Sequence, residues 1–464
     1  MRLMTSTVTT MKKPTSNTSA TPLKSSGPWT WLGARGFRYL YLLDFAALFA
    51  TMLIVMVGRF GSTWPDATRQ QHLFGMLAAT CLHIVVYYFA GMYERPLRLG
   101  RRMWLSHVAG VTVIALLVSA LIILPTGRYP IPRANLPFVA VIASILVAGN
   151  RHLSRALRSR RFGPPRVLLV GSPDDTELAA SHLKESDKQA VVAGQISSPE
   201  RLLEAASGMD ATDILLVSET SLDHIYPEPL RSLEQRKTGV YLRITAKSAL
   251  MGLRSVREVG GMPYVALRSN SLRPSQLRFK RLVELGILFV VSPIILIGTG
   301  LVAIYVRIRA GKNILYWQTR TGFDGQPFSM VKFRTMGPDA EADGKAVKAG
   351  TNDPRIVKGC EWLRTTRADE LPQFWNVLRG QMSIVGPRPE RPELSAQYEE
   401  LIPGYSRRNE VPPGITGLAQ VRGRYHTDPG YKLGHDIQYL VSWSPLLDLQ
   451  IMLRTVAVVL RRKQ

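Results

Sequence analysis

Leu363 to Arg391 reads LRTTRADELPQFWNVLRGQMSIVGPRPER. It sets two carboxylates side by side, Asp369 and Glu370, at the start of a short helical run that stops at Gly380. A rigid Pro387-Arg388-Pro389 turn follows about 17 residues after the pair. Neighbouring side chains on a helix point roughly 100° apart, so the two carboxylates do not address one atom and suit separate jobs, one to attack and one to hold a metal. The charges around them are nearly all positive (Arg364, Arg367, Arg379, Arg388, Arg391), and planar guanidinium groups match the paired oxygens of phosphate. A phosphate-bearing substrate follows. An isolated acidic pair would more often only complement a helix dipole, and a Pro-Arg-Pro segment would be a stiff loop; the rest of the chain has to decide.

Immediately upstream lies an apolar run, Leu285 to Ile308, long enough to cross a bilayer. Ser292-Pro293 interrupts it, and proline removes a backbone donor, so a bend is expected there. Arg273, Arg278, Lys280 and Arg281 precede the run while Arg307, Arg309 and Lys312 follow it. With positive charge at both ends, the run reads as a re-entrant helix that enters and leaves by one face. The alternative is a proline-kinked spanning helix.

Four further apolar segments lie near the N-terminus: Tyr39 to Gly58, His72 to Met92, Met103 to Leu124 and Ile131 to Gly149. Arg95, Arg98, Arg101 and Arg102 follow the second, and Arg151, Arg155, Arg158, Arg160 and Arg161 follow the fourth, so four spans place both chain ends in the cytosol. Residues 1–30, rich in Ser, Thr, Pro and Lys, read as a disordered tail before this 31–162 region. After Gly163-Pro164-Pro165, short strands at Val167–Val170, Val191–Ile196, Ile214–Val217 and Val240–Ile244 alternate with polar helices, arguing a Rossmann-like cytosolic domain over 163–268. Its loop Gly171-Ser172-Pro173-Asp174-Asp175 lacks the further glycines of a dinucleotide fingerprint and puts acid where a pyrophosphate would sit. A structural or regulatory role is expected of it.

The 464 residues carry a net charge of +25 and two cysteines, Cys81 and Cys360. The charge calls for an anionic partner, but the basic residues flank apolar runs and no nucleic-acid motif is present, so lipid headgroups and phosphorylated substrates are expected and nucleic acid is not. Two cysteines make no disulfide framework. The expected fold class is thus a membrane protein, α plus α/β. Its parts are a four-helix transmembrane region, the Rossmann-like domain, and a re-entrant helix with a mixed α/β catalytic domain over 269–464.

DELPQFWNVL followed by MSIVGPRPE resembles the signature of the bacterial sugar transferases, the polyprenyl-phosphate hexose-1-phosphate transferases also called monotopic phosphoglycosyl transferases. The similarity runs from Ile314 to the end. It includes the strand Phe328 to Met336 after the turn Asp324-Gly325, which presents Lys332 and Arg334. It also includes Pro413 to Val421 with Arg424, although Ala419 stands where many members have Trp. The resemblance also covers the Ser292-Pro293 break and a middle domain between membrane region and catalytic part. It implies a multi-pass enzyme of the bacterial inner membrane with a cytosolic catalytic domain. Asp369 would attack a UDP-hexose, usually glucose or galactose, and form an aspartyl phosphosugar with release of UMP; undecaprenyl phosphate would then accept the sugar phosphate. Mg²⁺ held by Glu370, with Lys332, Arg334, Arg364, Pro387, Arg388, Pro389 and Arg424, would bind and neutralise the phosphates. Downstream glycosyl transferases would extend the product into exopolysaccharide, capsule or O-antigen. The oligomeric state is open, a homo-oligomer included. Two other readings stand beside this one: a glycosyl transferase that releases UDP, and a membrane-anchored sensor or assembly factor for polysaccharide export. Helices from Tyr439 to Trp443 and Leu446 to Leu460 suit either the membrane interface or the core, with Trp and basic ends tilting toward the interface.

Overall fold

A computed structural model describes residues 38–61, 66–94, 99, 104–126, 133–186, 190–218, 222–245, 257–268, 270–337, 340, 353–422 and 428–460. The N-terminal tail, the arginines at 95, 98, 101 and 102, most of the loop from Gly337 to Gly350, and Arg424 lie outside the described residues.

Four apolar helices come first: α1 (Arg38–Phe60), α2 (Asp66–Phe89), α3 (Trp104–Ile123) and α4 (Leu136–Phe162). Arg133 and Asn135 form a short turn before α4 and lie outside the helix itself. α1 packs on α2 and α4, and α3 packs on the same two. Leu42, Ile54, Phe74, Leu121 and Phe138 face outward, as lipid-facing side chains would. The single acid in α1, Asp44, is fully buried, is neutralised by Arg151 of α4 at 2.6 Å and accepts a hydrogen bond from the Asn150 amide at 3.0 Å. A buried charge left unpaired would cost several kcal/mol, about 3 or more. Together with the long helix described below, five helices among the described residues are long and apolar enough to cross a membrane. The protein is membrane-anchored.

The middle region is a six-stranded mixed sheet. Its strands are β1 (Arg166–Val170), β2 (Val191–Ile196), β3 (Asp213–Leu216), β4 (Gly239–Arg243), β5 (Arg257–Val259) and β6 (Met262–Leu267), in the order β2-β1-β3-β4-β6-β5. The first four run parallel, and β6 and β5 add an antiparallel hairpin at the β4 edge. Helices α5 (Pro173–Ser186), α6 (Leu202–Gly208) and α7 (Leu230–Gln235) make the crossovers. In β1, Leu168 and Val170 enter one apolar cluster while Val167 and Leu169 enter another, so both faces of the strand are covered. That two-sided burial is why the strands read as unbroken apolar runs. The acid-filled loop after β1 is tied to the neighbouring strand ends: Asp175 accepts from Ser172 within the loop and from Ser218 after β3, and pairs with Arg243 of β4 at 3.2 Å.

The C-terminal body begins with α8 (Pro274–Ala310), a 37-residue helix that runs through Pro293 without interruption. Ser292 Oγ donates back to Phe289 O at 2.8 Å, within the turn that the proline weakens. Both flanks of α8 pack on the same body. On the N-terminal side Leu288 joins a core with Met382, Val385 and Tyr439, and Lys280 reaches Asp448 at 2.8 Å. On the C-terminal side Val302 and Val306 pack with Phe333, Cys360 and Leu363, and Tyr305 donates to Gly359 O. Between the flanks, Phe289, Val290, Ile294, Leu296, Ile297 and Leu301 are exposed.

The body itself holds an antiparallel hairpin, β7 (Leu315–Thr321) with β8 (Pro327–Phe333), turning at Asp324 and Gly325 as the sequence indicates. Its other elements are α9 (Glu361–Thr365), α10 (Gln373–Leu378), β9 (Ser383–Val385), α11 (Pro392–Leu401), β10 (Gly414–Thr416), α12 (Leu418–Arg422), α13 (Pro429–Ser442) and α14 (Pro445–Leu460). β9 and β10 pair in parallel. The C-terminal helices prove two-faced: Tyr439, Leu440 and Ile451 lie in the core, whereas Val441, Leu446 and Leu453 point outward.

Candidate active site

The dyad is carried on a single turn of 3₁₀ helix, Ala368–Glu370, between α9 and α10. Arg367 makes this turn possible by adopting a left-handed backbone with φ of 58°. That conformation is unusual for a side chain with a Cβ and costs about 1 kcal/mol. It ends α9 one residue past its cap and swings the chain so that both carboxylates are buried, Asp369 at 8% and Glu370 at 5% exposure. Sequence inspection names Arg367 as a flanking charge but gives no sign of its backbone, because glycine is the residue that signals such a position.

The two carboxylates have different surroundings. Glu370 Oε1 accepts from Lys332 Nζ at 3.0 Å and from Arg388 Nη2 at 2.8 Å, and Arg367 Nη1 stands 3.6 Å from Oε2. Burial alone would raise this carboxyl, but Arg388, Lys332 and Arg367 outweigh burial and hold it well below the usual carboxylate range. None of the described residues donates a hydrogen bond to Asp369. Burial pushes its carboxyl up to about 6, the Glu370 charge adds to the rise, and Lys332, Arg364 and Arg388 only partly oppose it. One carboxylate is thus held and ionised while its neighbour is free and close to neutrality in its titration, the pattern of paired acids with separate roles.

Each cation comes from a different element. Lys332 lies near the end of β8. Arg388 follows β9 in the Gly386-Pro387-Arg388-Pro389 segment, whose course is fixed by three close-packed glycines. The Gly386 amide donates to Thr416 O at 2.8 Å, and a Cβ on Gly386, Gly414 or Gly417 would stand 2.1 to 2.5 Å from backbone atoms of the facing strand or loop. The block from Pro413 to Val421 therefore serves as the backing of the Pro387–Pro389 turn. Arg364 approaches Asp369 electrostatically and donates weakly to Thr335 Oγ1 at 3.4 Å. Arg334 is engaged elsewhere: its Nη2 donates to Ala310 O at the end of α8, so it ties the helix to the hairpin. Sequence reasoning missed Glu284 of α8, whose Oε1 accepts from Ser383 Oγ and from Ile384 N at 3.1 Å and pairs with Lys280 at 2.7 Å, fixing β9 to the long helix.

A magnesium ion fits this donor set only with substrate supplying ligands. Among the described residues no group of three His, Cys, Asp or Glu side chains is assembled to cage a metal. Glu370 Oε2, however, is a buried carboxylate oxygen without a hydrogen-bond partner, and Mg²⁺ is commonly held by one or two carboxylates plus phosphate oxygens and water.

The sequence profile of the bacterial sugar transferases matches residues 275–462. A UDP-glucose:undecaprenyl-phosphate glucose-1-phosphate transferase of Caulobacter vibrioides is 39% identical over 210 residues, which span 44% of this chain and 74% of that protein. The chain belongs to the bacterial sugar transferase family. A protein of the same description from Klebsiella pneumoniae is 42% identical over 208 residues. A UDP-N-acetylgalactosamine-undecaprenyl-phosphate N-acetylgalactosaminephosphotransferase of Aeromonas hydrophila is 37% identical over 161 residues. The matches span 44% and 38% of the lengths of these last two relatives. In this bacterial sugar transferase the matched region coincides with α8 and the body that carries the dyad, while the α1–α4 helices and the six-stranded sheet lie outside it.

Proposed function

We propose that the protein transfers hexose-1-phosphate from a UDP-hexose to undecaprenyl phosphate and releases UMP, through a covalent intermediate on Asp369. The observation that carries this reading is the contrast within the dyad: Glu370 is engaged by Lys332 and Arg388, and Asp369 is left without a donor and open to attack a phosphorus. In the first half-reaction an Asp369 carboxylate oxygen bonds to the sugar-side phosphorus. The bond from that phosphorus to the bridging oxygen breaks, and UMP leaves with the electron pair. In the second, a phosphate oxygen of undecaprenyl phosphate attacks the same phosphorus, the acyl phosphate bond breaks, and Asp369 returns as a carboxylate. Arg388, Lys332 and Arg364 offset the charge of the diphosphate as it nears the carboxylate. Glu370 Oε2 would hold Mg²⁺ jointly with substrate phosphates, and the ion would supply further charge neutralisation there. Pro387 and Pro389 restrict the Arg388 backbone, and Arg424 is assigned to phosphate by its family block.

The two docked flanks of α8 support a re-entrant course, since a spanning helix would send them to opposite sides of the bilayer. On this reading the stretch around Ser292 and Pro293 is the inserted part of α8, the catalytic body faces the cytosol of a bacterial inner membrane, and the lipid phosphate is met at the surface. Glucose is the first hexose to test, given the Caulobacter and Klebsiella relatives. The product would start a polysaccharide repeat unit for downstream glycosyl transferases. The test is nucleotide release by the full chain in nanodiscs with magnesium, UDP-sugars and undecaprenyl phosphate. Acceptor-dependent UMP, lost in Asp369→Asn, is expected. Release of UDP would point to plain glycosyl transfer, undiminished release by the variant would remove Asp369 as the nucleophile, and silence on every UDP-sugar would favour a sensor or assembly role.

A further inference from the structure

The Pro387-Arg388-Pro389-Glu390 segment lacks two of its four backbone donors, because proline has no N–H. A two-sided ladder cannot hold it, and its carbonyls take over that work. Gly414 N donates to Pro387 O at 2.9 Å, Arg408 Nη2 to Arg388 O at 2.9 Å, Arg320 Nη1 to Pro389 O at 3.1 Å, and Thr321 N to Glu390 O at 2.9 Å. Four successive carbonyls therefore each receive a donor, two from backbone amides and two from guanidinium groups. Both guanidinium groups are oriented by other partners. Arg408 is buried, pairs with Asp436 at 2.8 Å and Glu390 at 3.5 Å, and donates to Tyr405 Oη at 2.5 Å. Arg320, half-buried on β7, donates to Gln318 Oε1 from Nε at 3.0 Å and from Nη2 at 2.6 Å. From the backbone held in this way, the Arg388 side chain reaches Glu370 Oε1 at 2.8 Å.

We propose that Arg320 and Arg408 are positioning residues: they grip the carbonyls of Pro389 and Arg388 and so aim the Arg388 guanidinium at the dyad. Neither touches the dyad, and a planar fork is what each position uses, with some donors on the loop and others on the residue that orients it. The catalytic consequence rests on the phosphosugar transfer reading; the grip itself does not.

The experiment is a double-mutant cycle on the full chain in nanodiscs, read by UMP release and by amide hydrogen exchange. Arg320→Met and Arg408→Gln are each expected to lower turnover about 10- to 100-fold, the scale of an ångström misplacement in an active site. In an Arg388→Ala background the same substitutions should change turnover less than about twofold, because the residue they aim is gone. A role in general stability would instead multiply the losses in both backgrounds, and that result overturns the proposal. In parallel, the amides of Arg388 and Glu390 should exchange about tenfold faster in both variants than in the unsubstituted protein; unchanged exchange overturns the grip. Should Arg408→Gln fail to fold, Arg320→Met carries the test from its half-exposed site. Should the unsubstituted protein release no UMP, the transfer reading falls, and exchange still decides whether these arginines hold the loop.

Discussion

Asp369→Asn is expected to make the protein more stable while abolishing turnover. Burial and the Glu370 charge raise the Asp369 carboxyl from the ordinary 3.8 to about 6. A raised value in the folded state means that the folded protein binds this proton more tightly than the unfolded chain does. Stability from this group is therefore full below about pH 3.8 and is lost as pH rises through about 6. Two pH units correspond to about 3 kcal/mol, which is the cost above neutrality of keeping the ionised carboxylate where it is. Asparagine carries no such cost, although its amide has to find partners, and a net gain of about 1–3 kcal/mol at pH 7.5 is expected. For a domain of this size each kcal/mol moves the melting temperature by roughly 2–4 °C. Thermal unfolding in nanodiscs, followed from pH 5 to pH 8, should show the variant melting several degrees higher at pH 7.5 and the gap roughly halved at pH 5. A variant no more stable at pH 7.5, or a gap that ignores pH, would refute the account of Asp369 as a carboxylate held in an uncomfortable site for its reactivity.

The rate of UMP formation should rise with pH through about 6 as Asp369 becomes ionised. In Glu370→Gln that limb should move to lower pH, since a charge that raises Asp369 is gone, while turnover measured at pH 8 drops about 100-fold. Arg367→Gly relieves the left-handed backbone and should raise the melting temperature by the equivalent of up to about 1 kcal/mol, yet lower turnover by removing a cation from Glu370. Glu284→Ala leaves Lys280 against Asp448 with one partner fewer, strips the acceptor from Ile384 N and leaves Ser383 only Val385 O to donate to. A loss of about 3 kcal/mol is expected in thermal or proteolytic unfolding.

The elements legible from sequence are those in which one physical signal dominates. Apolar length marks the helices from Arg38 to Phe162 and α8, and β1, β3 and β4 read as apolar runs because both their faces are covered, whereas the edge strand β2 is only partly buried. The hairpin of β5 and β6 is not evident in the sequence, although Gly260 and Gly261 at φ of 55° and 73° mark its turn, because β5 has only three residues at the sheet edge. Around the dyad, Lys332, Arg364 and Arg388 are legible in the sequence and the structure brings them to the carboxylates, whereas it commits Arg334 to the end of α8. What stayed hidden was long-range: Arg408 and Arg320 act through carbonyls 20 and 69 positions away in the chain, and carbonyl contacts leave no trace in residue type.

The exposed part of α8, from Phe289 to Leu301, amounts to about 20 Å of helix, while the hydrocarbon core of a bilayer measures about 30 Å. If α8 is re-entrant and α1 to α4 span, this wedge displaces acyl chains mainly from the leaflet it enters, whereas α1 to α4 displace chains from both. The anchor of the catalytic body then feels the lateral pressure of a single monolayer. On that reading, lipids that enlarge or relieve that monolayer act on the seating of α8 when added from the side that carries the catalytic body, and act less when added from the opposite side.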